Sequence, residues 1–141
     1  MSDRLLVYYP HMLAWFNDTE HACWRALGHP IEQMITRDRT TFVMGEVAFR
    51  FTGPARYGAQ VLSMIRLDSI GRSTLHWSTR SVAVADGATI CAGQATRVYA
   101  HVNPDQSLRA TPIADDLRAL LNAATVPCPA LPSHLRSALD W

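Results

Sequence analysis

The sequence predicts an α+β domain in which a meander of antiparallel strands packs on one long helix. Three observations lead there. Residues Pro10 to Leu27 form a continuous amphipathic stretch, the hydrophobic period changes after Thr41, and four β-rich runs are joined by turn residues rather than helices. At 141 residues the chain suits one domain with a sizeable core, 1–141, with 125–141 as a closing tail.

The apolar run Leu5, Leu6, Val7, Tyr8, Tyr9 stops at Pro10. Proline suits a first helical position because its missing N–H would be unpaired there. Met12, Trp15, Phe16, Thr19, Ala22, Cys23 and Ala26 then recur at helical spacing and give a broad apolar face. Gly28 is the expected stop, Pro30 lies just beyond it, and Ile31 to Arg37 suggests a short further helical turn. Thr41 to Phe51 reads as a strand rich in β-formers, and Gly53-Pro54 ends it. Ala59 to Ser69 and Arg72 to Ala85 are the next two strands. Asp86-Gly87 signals a hairpin into a fourth, Thr89 to Val102, in which Gly93 marks a bulge or a close backbone approach. Asn103-Pro104-Asp105 turns the chain out. Pro112 opens a second helix through about Ala123, with Asp115 and Asp116 near its positive end, and a Pro-rich segment leads to a short closing helical stretch.

Composition narrows the function. A net charge of +1 gives no electrostatic case for nucleic acid or an anionic membrane, and no apolar run approaches a membrane span. Asp3 and Arg4 precede a very short apolar run with no cleavage-type small residues, so a cytoplasmic protein without a secretory signal is expected. All 13 basic side chains are Arg, which excludes a Schiff-base or phosphate-loop lysine while leaving arginine forks for phosphate groups. Cys23, Cys91 and Cys128 lack metal or redox spacing, and the first two read as inert core thiols.

The chemistry-bearing feature is the start of the first helix. Its free amides form a site for negative charge, suited to the oxyanion of acyl transfer.

Two segments carry a resemblance. LVYYPHMLAWFNDTEHACWRALG and VAFRFTGPARYGAQV, with DQSLRATPIADDLRALL as a closing pattern, resemble the hotdog-fold acyl-CoA thioesterases of the 4-hydroxybenzoyl-CoA thioesterase family from about Leu5 to Leu121. The resemblance implies a hotdog fold, an antiparallel β-sheet wrapped around a long central helix, and a homodimer or homotetramer with active sites between subunits. It implies hydrolysis of an acyl-CoA to free acid and CoA, with no metal or redox cofactor, and it implies that the backbone N–H of Tyr9 polarises the thioester carbonyl, against a simple packing role at the strand–helix junction. Members usually carry an Asp-x-Asp-x-x-Gly loop before the helix, whose second Asp is nucleophile or general base. Here Ser2 stands at that position and Asp3 is displaced by one. Three routes follow: the acid lies upstream of Met1, Asp3 serves through a shorter loop, or His11 activates water. Loss of hydrolysis, leaving a thioester-binding domain, is a further alternative. So is a hotdog-fold hydratase or dehydratase using His11 and Glu46.

The remaining candidates are weighed against plainer duties. His11 is a base or a subunit-contact histidine, and Asp3 a base or part of a frayed terminus. Asn17 stands at a family acidic position, with Asp18 beside it; both line the acyl pocket or meet a partner subunit. Glu46 is a base or an edge charge. Arg56 and Arg72 hold CoA phosphate or are solvated surface. Trp15, Phe16 and Trp77 shape an aromatic acyl pocket or pack the core.

Overall fold

The computed structural model describes residues 10–53, 60–123 and 133–139. The Leu5–Tyr9 run, Asp3, Tyr9, Arg56 and Cys128 lie outside the described residues, as does the side chain of His11.

Helix α1 runs Pro10–Ala26, one residue short of the expected end. It stops as its sequence dictates. Gly28 takes φ +75°, its N–H donates to Arg25 O at 3.0 Å, and the His29 N–H donates to Trp24 O at 3.0 Å. This paired closure satisfies the last carbonyls and needs the left-handed backbone that glycine adopts freely. A 3₁₀ turn, Ile31–Gln33, and a short α2, Met34–Asp38, follow. Arg39 at φ 57° turns the chain into β1, Thr40–Phe51. Its side chain donates to Val102 O and Asn103 O, pinning that junction to the strand end beside it.

β2 (Val61–Ile70), β3 (Thr74–Ala83) and β4 (Thr89–Val102) complete the main sheet, antiparallel throughout, in the order β1-β4-β3-β2. A three-residue β5, Leu108–Ala110, pairs with the end of β4 and was not signalled by the sequence. The second helix, α3, covers Asp115–Ala123 rather than beginning at Pro112. Ile113 is buried and its N–H donates to Arg72 O, a tertiary bond that holds this stretch extended ahead of the helix. The closing stretch is a 3₁₀ helix, Ser133–Leu139. Gly93 is a close-approach point: a Cβ there would strike Ala48 O and come within 2.6 Å of Phe49 Cδ1 across the β1–β4 pairing.

One face of the sheet meets the helices. Phe42, Leu75, Trp77, Ala95 and Tyr99 form a single core with Phe16 and Trp24 of α1, Ile31, Met34, and Leu117 and Leu121 of α3. The helical face differs from the expected one. Ala22 and Ala26 are exposed, and the buried line is Phe16, Glu20, Trp24. The aromatic rings bury far more area than alanine methyls and so set the rotation of the helix.

Candidate functional site

α1 begins at Pro10 with no acidic side chain in its first turn, so none of its own carboxylates offsets the partial positive charge of its free amides. Further along, the same helix sends Phe16, Asn17 and Glu20 toward Arg97 of β4. Spacing explains the grouping: positions three and four apart share a helix face. The register of the sheet sets Arg97 between Met44 of β1 and Leu75 of β3.

Glu20 is fully buried and Arg97 is 8% exposed. Arg97 Nε donates to Glu20 Oε1 at 3.0 Å, and Nη2 approaches the same oxygen at 2.8 Å. Nη2 also donates to Asn17 Oδ1 at 2.6 Å, and the guanidinium carbon sits 5.5 Å from the centre of the Phe16 ring. Glu20 Oε2 and Trp24 Nε1 are both buried and lie near one another without a well-formed hydrogen bond to any described residue. Burial pushes the Glu20 carboxyl above its ordinary value of 4.5, while the charge and hydrogen bond of Arg97, and after them His21 and the Trp24 indole, pull the other way.

The other candidates are dispersed. Asp18 lies on the exposed flank of α1 beside half-buried Asn17. Arg72 is exposed in the turn between β2 and β3; its carbonyl accepts from Ile113 N at 2.8 Å and from Arg118 Nη2 at 3.2 Å. Glu46 is exposed at a register shift on β1. Trp15 is half-buried, whereas Phe16 and Trp77 share the core. Cys23 and Cys91 are buried enough that their thiols titrate above the ordinary range, which disfavours the reactive thiolate. Among the described residues no three His, Cys, Asp or Glu side chains converge on a metal position, and no helix is long and apolar enough to cross a membrane.

Sequence reasoning passed over Glu20 and Arg97. A signal existed for the first: an acid four residues from both Phe16 and Trp24 falls inside an aromatic stripe, where a charge requires a partner. None existed for Arg97, which is 77 residues away.

Among solved structures, a hypothetical protein TT1821 from Thermus thermophilus superposes with a TM-score of 0.74 at 19% identity, covering 85% of this chain and 87% of that one. The BH1999 gentisyl-coenzyme A thioesterase gives 0.70 at 19% identity over 85% and 92%. The 4-hydroxybenzoyl CoA thioesterase from Pseudomonas sp. strain CBS-3 gives 0.72 at 17% identity over 82% and 86%. The chain has the hotdog fold. No protein-family model and no curated protein sequence matches it. In this hotdog chain α1 is the longest helix among the described residues, and the Asn17–Arg97–Glu20 cluster joins it to β4, at the middle of the sheet.

Proposed function

We propose that this hotdog chain is an acyl-CoA thioesterase, hydrolysing a thioester to free acid and coenzyme A. Two features support the reading together: the architecture is one that named aryl-CoA thioesterases also have, and α1 begins at Pro10 directly after Tyr9. The thioester carbonyl sits at the helix start, where the Tyr9 N–H and the dipole stabilise the oxyanion. One such donor contributes roughly 3 kcal/mol to the transition state. Asp3 or His11 drives the attack of water, either directly or through an acyl-enzyme. Asn17 and Asp18 line the acyl pocket, and Arg56 and Arg72 hold the CoA phosphates by charge-assisted bonds. The working unit is a homodimer or homotetramer with sites between subunits. The aromatic side chains favour an aryl or medium-chain acyl group.

The test is thiol release from a panel of benzoyl-, substituted benzoyl- and medium-chain acyl-CoAs, read with a thiol-reactive dye. Release above the spontaneous rate supports the reading. Tight binding without release points instead to a non-catalytic thioester-binding domain. Neither binding nor release refutes both.

A further inference from the structure

We infer that the sheet face turned away from α1 carries a separate binding site, in which Arg50 and Arg80 hold the dianionic phosphate of a phosphomonoester while its flat apolar body lies between them. The site shares no residue with the thioester reading above and is independent of it.

Strand alternation places the residues. Phe49, Ala95 and Trp77 pack in or against the core shared with α1. Successive side chains point to opposite faces, so Ala48 and Arg50 of β1, Ala92 and Gln94 of β4, and Ser78 and Arg80 of β3 project from the other face. Register sets Ala48, Gln94 and Ser78 in one row and Arg50, Ala92 and Arg80 in the next. The methyl groups of Ala48 and Ala92 leave these rows low, and a depression of about 490 Å³ opens there, bordered by Arg50, Ser78 and Gln94. Arg80 stands on the β3 flank of Ala92. Its Nε and Nη2 donate to Thr89 Oγ1 of β4 at 3.2 and 3.0 Å, which draws the side chain toward β4 and leaves Nη1 without an acceptor among the described residues. No side-chain hydrogen bond or ion pair engages Arg50 or Gln94 among the described residues.

Charge identifies the ligand. The two arginines rise from strands two spacings apart, about 10 Å, with a single methyl group between them. Like charges flanking one position repel, and the acids on this part of the face do not relieve them. Asp68 is taken up by Arg66 at 2.8 Å and by the Ser78 hydroxyl. Glu46 is four residues from Arg50 along β1, about 13 Å, which exceeds the screening length at physiological salt. An anion over Ala92 removes the repulsion and occupies both forks. Two cations favour a dianion, and a phosphomonoester carries nearly two charges at neutral pH where a carboxylate carries one. Guanidinium forks also match phosphate oxygens bidentately. The depression is larger than a phosphate group, and its methyl floor accepts a flat apolar body with the Gln94 amide at the rim.

Calorimetry at fixed ionic strength with phenyl phosphate, inorganic phosphate and benzoate tests the site. The unaltered protein should bind phenyl phosphate about tenfold more tightly than either of the others. Arg50→Gln and Arg80→Gln should each weaken phenyl phosphate about tenfold, in proteins whose circular dichroism and thermal transition show them folded. Arg50→Lys keeps the charge without the fork and should recover part of that loss. Ala48→Leu, at an exposed position, keeps both arginines but fills the floor, and should also weaken phenyl phosphate about tenfold. Absence of phenyl phosphate binding, or binding that survives both arginine-to-glutamine changes, overturns the site. Benzoate binding as tightly overturns the selection of a dianion. Equal binding of inorganic phosphate, or indifference to Ala48→Leu, overturns the apolar floor.

Discussion

Replacing Arg97 by Met isolates the most consequential interaction in the core. Glu20 is fully buried, and its described hydrogen-bond partner is Arg97, through Oε1. Arg97→Met removes both approaches and leaves an uncompensated carboxyl beside Phe16 and Trp24. Breaking one side of a buried ion pair costs about 3–5 kcal/mol, which for a chain of this length lowers the melting midpoint by roughly 6–20 °C. The double variant Glu20→Met/Arg97→Met removes the desolvation cost with the charges and should recover most of the loss. pH supplies the decisive arm. Burial already raises the folded carboxyl above 4.5, and loss of Arg97 raises it further. The native state then binds the proton more tightly than the unfolded chain, so stability falls as pH rises from 4.5 through the raised value. The Arg97→Met penalty should therefore shrink on acidification toward pH 4.5 and be largest at neutral pH. Urea denaturation followed by circular dichroism at several pH values measures this. A loss below about 1 kcal/mol, or one that does not vary with pH, would refute the picture of a buried carboxylate held by Arg97.

Gly93→Val should destabilise by about 1–3 kcal/mol, because the added Cβ meets the Ala48 carbonyl and the Phe49 ring across the β1–β4 pairing; denaturant midpoints report it. Gly28→Ala should cost about 1–2 kcal/mol through the left-handed backbone alone, since no atom lies within 4 Å of the new Cβ; Gly28→Asn, which tolerates that backbone better, should lose less. His11→Ala should lower turnover at least about tenfold without unfolding the protein if the imidazole is the base, and Asp3→Asn separates the carboxylate route in the same assay. Tyr9→Phe should change turnover little because the proposed donor is the backbone N–H; a loss of about a thousandfold would exclude that assignment.

Local chemistry was enough to place α1 and the strands. Proline at the first turn and glycine at φ +75° punctuate the helix, and β4 occupies the expected Thr89–Val102 because the turns flanking it are written in its neighbours. What the chain could not announce were features whose cause lies far away in sequence. β5 is three exposed residues whose ladder partners are on β4, and the first residues expected in α3 are instead held extended by the Arg72 carbonyl. The apolar face read from the spacing takes in Ala22 and Ala26 and leaves out Trp24, so it lies rotated from the buried line of Phe16, Glu20 and Trp24. That concealed Glu20, the one acid in the buried line.

By itself, then, the sequence determined α1 and the four long strands, because capping, turn and period signals act within a few residues. Tertiary structure alone decided the order β1-β4-β3-β2, the burial of Glu20, and the contact between Arg97 and Asn17, 80 residues apart. Sheet register is set by which apolar faces bury together, and only that register brings a guanidinium from β4 onto an amide and a carboxylate of α1.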